Sequence, residues 1–319
     1  MALSDKENLE WLNNETGKSC IIQRWLKGGN NLLGEVSVGS EIKALKIYSS
    51  EQYDDRDRSG TEYKALRFLE RNGCKSTPKP YLYSKVPPRL LMDWLDGEPA
   101  MSNIRDSDLV FSAEFLAFVA GASVYADDFE FDMASESCLS DQDILSHIES
   151  RILKLGHITE LKPFFEQFNE SLQSEITKAS GFPWFSNALP KSKQTLIPAD
   201  FSLHNVIRQN DGCLKVFDFE YFGWDDPVKG VADFLLHPGM TLSRADKQSF
   251  LSRAVPLFEE FDDDFLLRLE ARYSLFALRW ALIVLKPYLQ SDASEDVKKN
   301  RLDKANKFLH IVESEFGLI

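Results

Sequence analysis

The stretch Thr195–Glu220, T-L-I-P-A-D-F-S-L-H-N-V-I-R-Q-N-D-G-C-L-K-V-F-D-F-E, decides how the rest of the chain is read. A short apolar run, Leu196 and Ile197, delivers Asp200 onto a loop, and Asn205 follows five residues later. Val206 and Ile207 then lead to the turn signal Asn210, Asp211, Gly212, and Leu214, Val216 and Phe217 lead into Asp218. An Asp-Gly turn between two short apolar runs predicts a β-hairpin. Such a hairpin gathers Asp200, Asn205 and Asp218 at one end of a ribbon. Their oxygens suit a hard divalent cation, which takes a few protein ligands and keeps the rest of its shell for water and phosphate. Asp200 is then left for a second task, accepting a proton from an attacking hydroxyl. The competing reading is a turn-rich hairpin without chemistry, because Asp and Asn are ordinary turn residues.

The pattern resembles the catalytic core of the aminoglycoside phosphotransferase and choline kinase group within the protein-kinase-like superfamily. That core reads H-G-D-x-x-x-x-N followed, after a short interval, by I-D-F/W-E/D. The resemblance implies that Asp200 is the base and that Asn205 and Asp218 hold Mg²⁺, with Glu220 of the same D-F-E run beside them. Two departures stand out. The family His is Pro198 and its Gly is Ala199. Ser202 occupies the place of the protein-kinase lysine, where its hydroxyl could donate to the transferred phosphoryl group but brings no charge.

The N-terminal part reads as a meander. Cys20–Lys27, Leu33–Val38 and Glu41–Tyr48 form three strand patterns split by Gly28, Gly29, Asn30 and by Gly39-Ser40. In the resembled family a glycine loop such as Gly28-Gly29-Asn30 lies over the nucleotide phosphates, where backbone N–H groups approach anionic oxygens; a plain hairpin turn fits the sequence equally well. Ala44-Leu45-Lys46 matches the kinase signature that puts a phosphate-pairing lysine on the third strand. Alternation puts Lys46 on the face of Ala44 and leaves Lys43 on the other, solvated face. The helical pattern after Ser59 offers Glu62 as the partner of Lys46, although Ser59-x-x-Glu62 also reads as a capping box. Two further strand patterns, Pro78–Lys85 and Arg89–Leu95, end in L-L-M-D-W-L-D-G. This run resembles the family hinge, with Met92 behind the base and the backbone of Asp93, Trp94 and Leu95 on the purine edge.

After Pro99 the patterns turn helical: Asp108–Val124, Ser140–Leu155, Glu160–Ala179, Arg244–Phe258, Phe265–Leu285 and Glu295–Glu315. Asp226-Pro227 and Asp233 match acidic positions that in the family brace the catalytic loop from behind.

The chain has 319 residues, enough for a substantial core, and a formal net charge of -13, which argues against non-specific binding to nucleic acid or an anionic membrane. Four widely spaced cysteines make no C-x-x-C pair, so neither a zinc site nor a disulfide framework is expected. The same cysteine usage makes a reducing cytoplasm the expected compartment, and an N-terminus without an apolar core is not expected to be a signal peptide. No uninterrupted apolar run reaches membrane-spanning length.

The expected fold is α+β, a bilobal protein-kinase-like arrangement with a small antiparallel β lobe carrying one helix (1–95) and a larger, mostly helical lobe (96–319). The implied activity is transfer of the γ-phosphoryl of ATP, with Mg²⁺, to a hydroxyl of a small molecule such as a sugar, amino alcohol or aminoglycoside-like compound. GTP stays open as the donor, and the oligomeric state is not legible. The alternative, motivated by Pro198 and Ser202, is a nucleotide-binding pseudoenzyme with a regulatory or scaffold role. A protein kinase ranks third, because no A-P-E-type segment follows Asp218.

Overall fold

The computed structural model describes residues 4–27, 31–49 and 56–314. In chain order its main elements are α1 (Asp5–Thr16), β1 (Cys20–Lys27), β2 (Leu32–Val38), β3 (Glu41–Ile47), α2 (Arg58–Arg71), β4 (Pro80–Lys85), β5 (Pro88–Asp93) and β6 (Glu98–Pro99). These are followed by α3 (Asp106–Ala122), α4 (Asp141–Leu155), α5 (Lys162–Ala179), β7 (Thr195–Ile197), β8 (Val206–Arg208), β9 (Leu214–Val216) and β10 (Gly223–Asp225). The chain closes with α6 (Pro227–Leu236), α7 (Arg244–Glu259), α8 (Phe265–Ile283) and α9 (Glu295–Ser314). The strand and helix patterns of the sequence recur within a residue or two at most boundaries.

The chain divides into two units. The first comprises Met1–Asn103, Val124–Phe131 and Asn205–Phe222. Its five-stranded sheet has the order β1-β2-β3-β5-β4, antiparallel throughout. Leu12, Cys20, Val36, Val38, Leu45 and Leu91 form a buried cluster on one face, with Trp11 and Trp25 packed against it. Burial of such apolar side chains is the main favourable term, about 1.5–3 kcal/mol each. The first unit does not stop where the hinge pattern ends. β6 pairs with β8, and β8 with β9, in a second small sheet. Gly97 makes this passage possible. Its φ is 146°, and a Cβ there would meet the Arg208 carbonyl oxygen at 2.2 Å.

The second unit comprises Ile104–Ser123, Asp132–His204 and Gly223–Ile319. β7 pairs antiparallel with β10, and α8 packs against α4, α5, α6, α7 and α9. The most apolar helix, α3, buries Leu109, Ala113, Leu116 and Val119 and packs on α7 and β7.

A network of buried charges runs through the second unit. Arg272 bridges Asp141 at 2.6 Å and Asp226 at 2.5 Å, and Arg268 joins Asp226 at 3.0 Å to Asp262 at 2.5 Å. Asp226 also caps α6, its side chain accepting from Val228 N. Asp225 is fully buried, and burial pushes its carboxyl up to about 6, with Lys229 at 3.6 Å opposing. Asp225 therefore holds its proton more tightly folded than unfolded. Its charged form costs stability in full above about pH 6, and that cost fades as pH falls toward the ordinary carboxylate range. Wild type should gain about 1–2 kcal/mol over Asp225→Asn between pH 7.5 and pH 5. Urea unfolding of both proteins at the two pH values checks this; a constant difference would show that Asp225 titrates normally.

Candidate active site

The hairpin expected after Asp200 forms, with Val206 opposite Val216 and Arg208 opposite Leu214. Gly212, at φ 85°, turns the chain, and its N–H donates to Gln209 O. At the open end Phe217 N donates to Asn205 O at 3.0 Å, so Asn205 and the segment entering Asp218 are held together. Asp218 has φ 72°, a left-handed conformation that costs a non-glycine residue energy and is often found where function over-determines the backbone.

Within the first unit, Lys46, Glu62, Asp218 and Glu220 come together. Lys46 Nζ donates to Glu62 Oε2 at 2.6 Å and to Asp218 Oδ1 at 2.5 Å, with Glu220 Oε2 at 3.3 Å. β3 delivers the ammonium and the side of α2 delivers Glu62. The capping-box alternative is not made: Asp57 caps α2, accepting from Gly60 N at 2.9 Å, which leaves Glu62 a turn inside the helix. Burial disfavours the Lys46 charge, but Asp218, Glu62 and Glu220 outweigh it and hold its pKa above the usual lysine range. Burial pushes the Glu62 carboxyl up, against the pull of Lys46.

Three partners in this cluster were not legible in the sequence. Arg58 donates to Glu220 Oε1 at 3.2 Å, Asn31 donates to Glu220 Oε2 at 2.7 Å, and the buried Tyr48 hydroxyl donates to Glu62 Oε2 at 2.7 Å. Among the described residues Lys46 and Arg58 face Glu62, Asp218 and Glu220, two cations against three carboxylates, a formal excess of one negative charge. Gly28, Gly29 and Asn30 lie outside the described residues.

The hinge segment departs from expectation in two ways. Lys43, expected to be solvated, is largely covered, with its ammonium on Tyr81 Oη at 2.7 Å and Asp93 Oδ1 at 3.1 Å. Alternation misjudged it because β3 is flanked on both sides and the neighbouring strand supplies an acceptor. The Asp93 N–H donates to Lys79 O at 3.0 Å, which commits it to the chain rather than to a purine. Trp94 and Leu95 follow as partly exposed residues, and Met92 is buried.

The second unit holds Asp200 and Ser202. Asp200 N donates to Pro198 O at 2.9 Å across Ala199, whose φ is 58°. The loop thus keeps a left-handed residue where the resembled motif carries glycine, and alanine pays strain for it. Asp200 is one third exposed, and its Oδ1 accepts from His237 Nε2 at 3.3 Å. Ser202, expected to face the phosphoryl group, is fully buried with its hydroxyl 2.5 Å from His204 Nδ1, an arrangement that gives no support to direct donation. Asp233 accepts from Arg279 at 3.0 Å and from Trp280 Nε1 at 2.7 Å, with Lys229 at 3.1 Å. It braces α6 against α8, and Trp280 in turn meets the His237 ring edge-on at 5.3 Å.

The sequence matches the "Phosphotransferase enzyme family" over residues 43–281. The chain belongs to this family. It is accordingly an enzyme, a small-molecule kinase with an alcohol group as acceptor. No curated protein matches the sequence. Among solved structures, this phosphotransferase is similar to spectinomycin phosphotransferase in complex with ADP and spectinomycin, with TM-score 0.69, 10% identity and 100% of each chain covered. It is similar to the choline kinase of Streptococcus pneumoniae, with TM-score 0.62, 16% identity and 96% and 98% of the two chains covered. It is also similar to the ethanolamine kinase of Plasmodium vivax, with TM-score 0.61, 15% identity and 94% and 86% covered. These likenesses establish the fold, a protein-kinase-like α+β arrangement with a small antiparallel β unit and a larger helical one, as the sequence resemblance implied.

Proposed function

We propose that this phosphotransferase moves the γ-phosphoryl group of ATP to a hydroxyl of a small molecule, with Mg²⁺ bound and Asp200 as the base. The observation that carries this reading is the Lys46–Glu62–Asp218 cluster. A buried lysine kept charged by carboxylates from α2 and from the D-F-E run is the arrangement phosphoryl transfer uses to neutralise phosphates.

The donor set fits a hard cation. Asp218 is partly exposed, Asn205 flanks the same end of the hairpin, and the cluster carries an excess negative charge. Glu220 fits the ligand role less well, because Arg58, Asn31 and Lys46 already engage both of its oxygens. When bound, Mg²⁺ would neutralise phosphate charge. Lys46 would pair with the phosphates, Glu62 would hold Lys46 in position, and Met92, Trp94 and Leu95 would line the base. Asp200 would accept the proton of the acceptor hydroxyl, for which it keeps an exposed edge.

Amine-bearing alcohols are the first acceptor class to try. The solved relatives are named for spectinomycin, choline and ethanolamine, and this chain carries a net charge of -13 that would attract cations. The test is ligand-dependent melting. ATP should raise the melting temperature strongly only with Mg²⁺, since a ligand of the native state stabilises by mass action. Asp218→Ala should lose most of that Mg²⁺-dependent shift; a variant that keeps it in full would remove Asp218 from the metal site. A panel of sugars, amino alcohols and aminoglycosides read by ADP release then names the acceptor. Tight Mg²⁺–ATP binding with no turnover on any acceptor would favour the regulatory pseudoenzyme.

A further inference from the structure

We infer that His237, at the C-terminal end of α6, is a positioning residue that holds Asp200 in its reactive orientation through a fixed neutral tautomer. The inference rests on the reading of Asp200 as the base. Nothing in the Thr195–Glu220 stretch points to it, since His237 lies 37 positions beyond Asp200.

The tautomer follows from the hydrogen bonds. Gly239 N–H donates to His237 Nδ1 at 3.0 Å, so Nδ1 is the acceptor of the ring. The proton of the neutral ring then resides on Nε2, which lies 3.3 Å from Asp200 Oδ1. A donor facing one carboxylate oxygen restrains the rotation of the group. The ring itself is held on two sides. It stacks on His204 with centroids 4.4 Å apart and an interplanar angle of 19°, and it meets Trp280 edge-on. Trp280 is anchored by Asp233, which Arg279 and Lys229 bind. A line of contacts therefore runs from the buried charges of α6 and α8 through an indole and an imidazole to Asp200.

The motif position usually held by histidine is Pro198 here, which supplies no side-chain donor. His237 provides a donor to Asp200 from another element. A cation held by Asp200, His204 and His237, whose ligand atoms lie within 4.8 Å of one another, is disfavoured by the same amide. With Gly239 N–H on Nδ1, the Nε2 atom carries a proton and has no lone pair to give a metal.

Two measurements test the inference. The first is the ¹⁵N spectrum of the His237 ring in the intact protein at pH 8. A protonated Nε2 and bare Nδ1 are expected, with the Nε2–H resonance moving in Asp200→Asn; a protonated Nδ1 would overturn the assignment. The second is phosphate release from Mg²⁺–ATP with water as acceptor. His237→Leu should lower kcat by about 10- to 100-fold, the worth of a hydrogen bond to a charged group, with KM for ATP unchanged. His237→Gln, which keeps a neutral N–H donor, should recover most of the loss. In an Asp200→Asn background His237→Leu should add little further loss. Equal loss in the Gln and Leu variants would reduce His237 to packing and overturn the inference. Unchanged turnover in Asp200→Asn alone would instead sink the base assignment while leaving the tautomer to the spectrum.

Discussion

Asp200→Asn is expected to lower phosphoryl turnover by about 10²–10⁴-fold, the range for loss of a general base, while Mg²⁺–ATP affinity stays nearly constant. The substitution keeps the shape and removes the charge proposed to accept the proton. Asp200 is one third exposed and bonds to His237, whereas the proposed metal ligands belong to the hairpin of the other unit. Asp218→Asn should behave differently. Asp218 lies 2.5 Å from Lys46 and is the proposed Mg²⁺ ligand, so both nucleotide binding and turnover should fall. The measurement is a pair of titrations, nucleotide affinity by calorimetry and turnover on the best acceptor. Equal turnover in wild type and Asp200→Asn would take the base out of the mechanism. Parallel losses of affinity and turnover in both variants would mean that Asp200 acts on the metal instead.

How far the sequence reaches can be seen at particular residues. Lys46 and Glu62 were legible because each has a local signature: alternation on a strand beside Ala44, and a position inside a helix that starts near Ser59. The hairpin was legible because Asp211-Gly212 is a turn signal that acts over a few residues. Tyr48, Arg58 and Asn31 were not, because what assigns them is a contact with Glu62 or Glu220 far along the chain. Lys43 was misread for a related reason. Strand alternation tells which face a side chain takes, but not that Tyr81 and Asp93 wait on that face. His237 is the extreme case: its role depends on a backbone amide two residues on and a carboxylate in another loop, and neither leaves a pattern. Ser202 was chosen for its slot in a motif, and nothing in the sequence signals that its buried hydroxyl would meet the His204 ring.

The largest expected stability effect lies in the buried charges of the second unit. Arg272→Met should destabilise the protein by about 3–5 kcal/mol, the cost of breaking a buried ion pair from one side. Arg272 is fully buried, and so are Asp141 and Asp226, the carboxylates it separates. Asp226 keeps Arg268 as a partner after the change, but Asp141 does not keep an equivalent. Burial already pushes the Asp141 carboxyl up against the pull of Arg272, so removing the guanidinium leaves desolvation unopposed. The second substitution Asp141→Leu should recover part of the loss, since it removes the orphaned charge instead of leaving it in the core. The surface pair Arg253–Glu114, half exposed on both sides, is the control: Arg253→Met should cost less than about 1 kcal/mol. Urea denaturation with unchanged m-values measures all three. A loss at Arg272 no larger than at Arg253 would mean that water reaches the network and that its charges are not held in a dry core.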